Sequence, residues 1–129
     1  MSTLKVGIAS YEDIKARTMR VARGELRPRA DEPKIWFTSI ESFARILSAG
    51  NRDLLRVIAE ESPGSLDELA RLTGRKKSNL SRTLKTMEGC GLVHLERGTR
   101  GRLAPSVIHD RVELALPLKK QTVRKRRSG

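Results

Sequence analysis

The arrangement of apolar residues and glycines between residues 51 and 108 limits the possible folds more than any other feature of this chain. Apolar residues recur there first at helical spacing and then at alternate positions, and glycines or serines separate the segments. The predicted elements are a helix capped by Asn51, a short helix at 66–72, a longer helix at 76–89, and strands at 92–97 and 102–108. The pattern therefore predicts three consecutive helices followed by a β-hairpin.

The short helix, the turn at Gly74 and the longer helix have the spacing of a helix-turn-helix motif. In the longer helix, Leu80, Leu84 and Met87 fall on one face, which we expect to be buried. A hairpin directly after such a helix pair is typical of a wing. The predicted fold class is therefore α+β, mainly α: a winged helix-turn-helix with a β-hairpin wing and extra flanking strands.

Further strands and helices are predicted outside this unit. Alternating or helical spacing predicts strands at 3–9, 34–38 and 111–116, and helices at 11–23 and 40–48. Gly50 is expected to end the second of these helices. The strands that flank the domain, 34–38 and 111–116, are both short and alternating, and we expect them to pair with each other.

Prolines and charge divide the chain into three parts. Residues 1–33 form an N-terminal arm of strand, helix and linker, and the linker contains Pro28 and Pro33. Residues 34–117 form the domain, and residues 118–129 form a basic tail that is expected to be disordered in isolation. The helix of the arm has a narrow apolar face, which either its own domain or a second chain could cover. We expect it to contact a dimer partner.

Charge indicates the class of partner. The chain carries 27 Lys and Arg against 15 Asp and Glu, a formal net charge of +12. Such a surface attracts polyanions, and nucleic acid is the expected partner ahead of an anionic membrane surface or an acidic protein. The basic residues are clustered, because five of them and no acidic residue lie between Arg75 and Met87.

The candidate DNA-contacting residues lie on the longer helix and the hairpin. They are Arg75, Lys76, Lys77, Ser78, Asn79, Ser81, Arg82, Lys85, Thr86, Arg97, Arg100 and Arg102. Arg82 has the groups for a bidentate pair with guanine, or for a phosphate contact, and Asn79 has the groups for a pair with adenine. The hairpin arginines suit the neighbouring minor groove or the phosphate backbone.

Other classes of protein find little support. Adjacent acidic residues, such as Glu60 and Glu61, lie at helix ends, where helix capping and the helix dipole explain them, so we predict no enzyme and no cofactor. Cys90, His94 and His109 lack short ligand spacing, so no metal site is predicted, and a lone thiol forms no disulfide within the chain. With no signal-peptide layout and no apolar run of membrane length, we expect a cytoplasmic protein, associated with the nucleoid when bound to DNA.

Three motifs resemble the core of MarR-type winged-helix regulators: SLDELARLTG at 65–74, SNLSRTL at 78–84 and MEGCGLV at 87–93. The strand IWF at 35–37 and the segment GRLAP at 101–105 further resemble a group of predicted winged-helix regulators from archaea and bacteria. The resemblance covers roughly residues 34–117. The long terminal helices that form the dimer and ligand pocket of larger MarR proteins have no counterpart here, so the resemblance does not extend to an effector pocket.

The resemblance implies a transcriptional regulator that binds specific duplex DNA sequences, with residues 78–82 in the groove. We expect a repressor that acts as a homodimer, because DNA operators are commonly two-fold. Two alternatives remain: an antitoxin-type autoregulator that also binds a cognate toxin protein through its N-terminal arm, and an RNA- or ribosome-associated basic protein.

Overall fold

The computed structural model describes residues 2–119 and shows an α+β fold of five α-helices and two small sheets within that part of the chain. In chain order the elements are β1 (Thr3–Ile8), α1 (Tyr11–Ala22), β2 (Ile35–Phe37), α2 (Ile40–Ile46), α3 (Ala49–Glu61), α4 (Leu66–Thr73), α5 (Lys77–Gly89), β3 (Val93–Arg97), β4 (Leu103–Val107) and β5 (Arg111–Ala115). A 3-10 turn, Thr99–Gly101, joins β3 to β4. Most of the predicted basic tail, residues 120–129, lies outside the described residues.

The first sheet has the strand order β2-β1-β5, with β1 parallel to both neighbours. The predicted pairing of 34–38 with 111–116 is therefore wrong. Val6 of β1 lies beside Ile35 on one side and beside Leu114 on the other, and Leu4 and Val6 are buried. Because helix α1 is long enough to reverse the chain between parallel strands, β1 and β2 can be neighbours, and β1 takes the centre of the sheet.

Gly7 permits a close approach between β1 and β2. It lies beside Trp36 in the parallel register, and a Cβ atom added to Gly7 would lie 2.5 Å from Cζ3 of the Trp36 ring. The indole therefore covers the backbone of β1. Since neighbouring residues of a strand point to opposite faces, this face of the sheet is the one opposite Leu4 and Val6.

One hydrophobic core joins the central strand to the helices and the hairpin. Its buried members are Leu4, Val6, Leu54, Ile58, Leu66, Leu69, Leu80, Leu84, Met87, Leu92, Val93 and Leu95. The N-terminal strand thus packs in the same core as α3, α4 and α5, although residues 1–33 are predicted to form an arm.

Serine side chains cap the described helices before α5. Ser10, Ser39, Ser48 and Ser65 each accept a hydrogen bond from the backbone N–H three residues on. The expected cap at Asn51 is wrong, because α3 begins two residues earlier and the N–H of Asn51 donates to Ser48 Oγ (3.3 Å). The prediction that Gly50 ends a helix is also wrong. Gly50 lies in the first turn of α3, where the backbone N–H groups have no partner within the helix.

The second sheet is the predicted β-hairpin, and this prediction is confirmed. Strands β3 and β4 pair antiparallel, with Val93 beside Val107 and Arg97 beside Leu103. The turn between them uses a positive φ at Arg100 (61°) and at Gly101 (73°). No helix in residues 2–119 is both long and apolar enough to cross a membrane.

Candidate nucleic-acid interface

Helix α5 has one buried face and one exposed polar face. Leu80, Leu84 and Met87 have no exposed surface, which confirms the predicted apolar stripe. The residues exposed on the rest of the helix include Ser78, Asn79, Arg82, Lys85 and Thr86. Because the buried stripe fixes the rotation of α5 against α4 and β3, these side chains are held facing away from the core.

The start of α5 has no side-chain cap, unlike the four serine-capped helices before it. Lys76 is the N-cap residue and makes no side-chain hydrogen bond to the first turn, which contains no acidic residue. The free N–H groups and the helix dipole add positive potential to that of Lys76 and Lys77. This end of α5 is therefore suited to an anion such as a phosphate.

Arg75 has a different environment from the two lysines that follow it. Its guanidinium donates to Asn51 Oδ1 (3.2 Å) and to the carbonyl oxygen of Gly50 (2.8 Å). Asn51 in turn donates through Nδ2 to the carbonyl oxygen of Ile46 (2.9 Å). These bonds tie the turn before α5 to the beginning of α3 and the end of α2, so Arg75 is placed to position α5.

A groove of about 410 Å³ separates the start of α5 from the hairpin. It is lined by Ser65, Leu66, Asp67, Lys77, Ser78, Ser81, Gly101, Arg102 and Leu103. Within it, Lys77 Nζ lies 3.2 Å from Asp67 Oδ1 in an exposed ion pair. The structure thus brings three candidate residues of α5 together with Arg102 of the hairpin.

The other two hairpin arginines, Arg97 and Arg100, do not line this groove. Arg97 ends β3, and Arg100 lies in the turn with positive φ, and both are exposed. The backbone N–H of Gly98 donates to the carbonyl oxygen of Arg102 (2.8 Å), which closes the turn. The three arginines therefore surround one exposed turn. Residues 97–103 contain no acidic residue, so the charged side chains of this turn are all basic.

Two neighbours of the site are not predicted by any pattern in the sequence. Asp67 lies in the first turn of α4, and its carboxylate pairs with Lys77 of α5. Asn51 was assigned a cap, yet its side chain accepts a hydrogen bond from Arg75. Neither contact has a periodic signal in the sequence, because both depend on how separate helices pack.

Burial raises the pKa of the Cys90 thiol, because the charged thiolate loses solvation. Cys90 follows α5 and packs against the core, so its environment favours the unreactive thiol form at neutral pH. In residues 2–119 no three His, Cys, Asp or Glu side chains cluster in a way that could hold a metal ion.

A family model matches the part of the chain that carries α3 to β4. None of the curated proteins matches the chain. The model of the HVO_A0114 family matches residues 46–114, a stretch that includes α3, α4, α5 and the hairpin. The description of that family names no activity, and the resemblance to MarR-type regulators stays a prediction. Since the match covers more than half of the chain, the protein belongs to the HVO_A0114 family.

Proposed function

We propose that this protein binds specific sequences of duplex DNA and regulates transcription, with α4 and α5 as a helix-turn-helix and the β3–β4 hairpin as a wing. The observation that carries the proposal is the exposed face of α5. It is polar or basic from its first turn to Thr86, while the apolar residues of the same helix are fully buried.

The dimensions and side chains of α5 suit the major groove. That groove is about 12 Å wide and admits one α-helix. Ser78 and Asn79 are short and exposed near the N-terminal end of α5, the end that reaches base edges in helix-turn-helix proteins. Arg82 follows one turn later on the same exposed side and has the planar donors that pair with guanine.

The hairpin supports the same orientation. If α5 lies in the major groove of DNA, the protein groove that contains Lys77 and Arg102 would lie along the adjacent phosphate backbone. Arg97 and Arg100 would then extend along the duplex toward the minor groove. We further propose that binding represses transcription by occupying an operator.

Competition between nucleic acids tests the proposal against the RNA-binding alternative. A labelled DNA duplex bound to the full chain is displaced with unlabelled duplex DNA and, separately, with structured RNA of equal length. We expect duplex DNA to compete at lower concentration, because an α-helix enters the major groove of B-form DNA and not the deep, narrow one of A-form RNA. Stronger competition by RNA would refute the proposal.

A further inference from the structure

Helix α5 contains a single acidic residue, Glu88, which lies in its last turn. A negative charge is unfavourable there for two reasons. The C-terminal end of the helix dipole is itself negative, and DNA, the proposed partner of α5, is a polyanion. The presence of a carboxylate at this position therefore needs a separate explanation, which its contacts supply.

The carboxylate of Glu88 is bonded to the hairpin. Its Oε2 atom accepts a hydrogen bond from the backbone N–H of Leu95 in β3 (3.3 Å). The side chain of Leu95 is buried in the core, so this bond lies where the strand packs against the helix and is partly shielded from water. Glu88 thus joins the end of α5 to the middle of the first hairpin strand.

The N–H of Leu95 points away from β4, the other strand of the hairpin. At one end of the pairing Gly98 N–H donates to the carbonyl oxygen of Arg102 (2.8 Å), and at the other end Ile108 N–H donates to that of Leu92 (3.5 Å). The register between these two bonds is uninterrupted. Because the backbone groups of a strand point alternately to its two sides, the even-numbered residues of β3 face β4, and Leu95 faces the opposite side. The carboxylate of α5 therefore satisfies a donor that β4 does not reach.

We propose that Glu88 is a positioning residue for the wing: by holding β3 against α5, it determines where the hairpin arginines lie relative to the exposed face of α5. This inference rests on the proposed function. Leu95 lies only two residues before Arg97 and the hairpin turn, so a shift of β3 at this bond moves the arginines as well. A wing that is fixed in advance avoids the free-energy cost of ordering it on the duplex. Glu88 is thus expected to favour DNA binding, although its charge opposes it.

Two neutral variants separate the hydrogen bond from the charge. Glu88→Gln keeps an acceptor oxygen, whereas Glu88→Met has a similar length and helix propensity but no acceptor oxygen. Since the two variants have the same net charge, a difference between their DNA affinities reports the bond. By fluorescence anisotropy, we expect Glu88→Met to bind a duplex selected from genomic fragments about three- to tenfold more weakly than Glu88→Gln, the range set by the free energy of one hydrogen bond. Equal affinities would overturn the proposal.

The difference between the two variants should depend on the wing arginines. In a chain that also carries Arg97→Ala, Arg100→Ala and Arg102→Ala, the two variants should bind within about twofold of each other, at a salt concentration low enough to keep binding measurable. A general loss of stability would persist without the arginines, so an undiminished difference contradicts a role through the wing. Glu96, an exposed residue of β3, provides the matched control, and its Gln and Met variants should bind DNA equally.

Hydrogen exchange of the Leu95 amide tests the bond without DNA. By NMR, this amide should exchange about three- to tenfold faster in Glu88→Met than in Glu88→Gln. The amide of Leu84, at the centre of α5, should change less, and an increase of equal size at both amides would contradict a local bond. A wild-type chain that protects Leu95 but does not bind duplex DNA would refute the proposed function, and with it the role of the wing. DNA binding with the same Leu95 exchange in both variants would refute the positioning role alone.

Discussion

Arg75 and Lys77, two basic residues only two positions apart, have different roles in the structure. The guanidinium of Arg75 is bound to the side chain of Asn51 and the backbone of Gly50. The ammonium group of Lys77 lies on the exposed side of α5, beside the carboxylate of Asp67. We therefore infer that Arg75 positions α5, and we propose that Lys77 contacts phosphate.

Replacement of Arg75 tests its positioning role. Arg75→Ala removes two hydrogen bonds from a charged donor and leaves Asn51 Oδ1 without that partner, so the free energy of unfolding should fall by about 1–3 kcal/mol. Lys76→Ala is the matched control, because this exposed residue makes no cap bond, and it should change stability by less than about 0.5 kcal/mol. Chemical denaturation measures both variants. Equal stability of the two would show that the Arg75 contacts do not support the fold.

Asp67 is expected to oppose DNA binding through its pair with Lys77. Asp67→Asn removes a negative charge beside the proposed phosphate site, and affinity for random duplex DNA at low salt should rise by about two- to fivefold, since such a charge costs up to about 1 kcal/mol. Asp53→Asn removes the same charge from α3, where Asp53 pairs with Arg56, and serves as the control. Fluorescence anisotropy measures both variants. A rise of equal size in both would indicate a general effect of net charge.

At the scale of elements, local sequence signals predicted the helices and the hairpin, but not the sheet. Serine caps and helical spacing are local, so the bounds of α1, α4 and α5 were predicted within one residue. The pairing of β1 with β5 joins residues about 108 positions apart, and no local signal specifies which strands meet. The pairing of β1 with β2 also includes a close contact between Trp36 and Gly7, which is possible because Gly7 has no side chain.

Gly7→Ala is expected to lower the free energy of unfolding by about 1–3 kcal/mol, because the new methyl group would overlap the Trp36 ring. Gly89→Ala is the control. It ends α5 with no heavy atom within 4 Å of the added Cβ, so stability should stay the same or rise by up to about 1 kcal/mol. The single tryptophan reports both the unfolding transition and the ring environment. Native emission that is unchanged in Gly7→Ala, together with unchanged stability, would contradict this packing.

At the scale of the whole molecule, the sequence predicted the buried and exposed faces of α5, but not the residues of other elements that pack beside this helix. The helical spacing of Leu80, Leu84 and Met87 determined which residues are exposed, and the burial of these three confirmed it. The groove between α5 and the hairpin arises from tertiary packing, as does the contact between Arg75 and Asn51, which are 24 positions apart. The chain of contacts from α2 through Asn51 and Arg75 therefore becomes visible only in the fold.

The central claim is that α5 distinguishes one DNA sequence from another, and Arg82 tests it most directly. Duplexes are first selected from genomic fragments by the full chain, and affinities for a selected and a random duplex are then compared in the wild type, Arg82→Ala and Lys77→Ala. We predict that Arg82→Ala loses about 1–3 kcal/mol of discrimination, whereas Lys77→Ala weakens both duplexes equally. Full discrimination by the Arg82→Ala variant would contradict the assignment of α5 to the major groove.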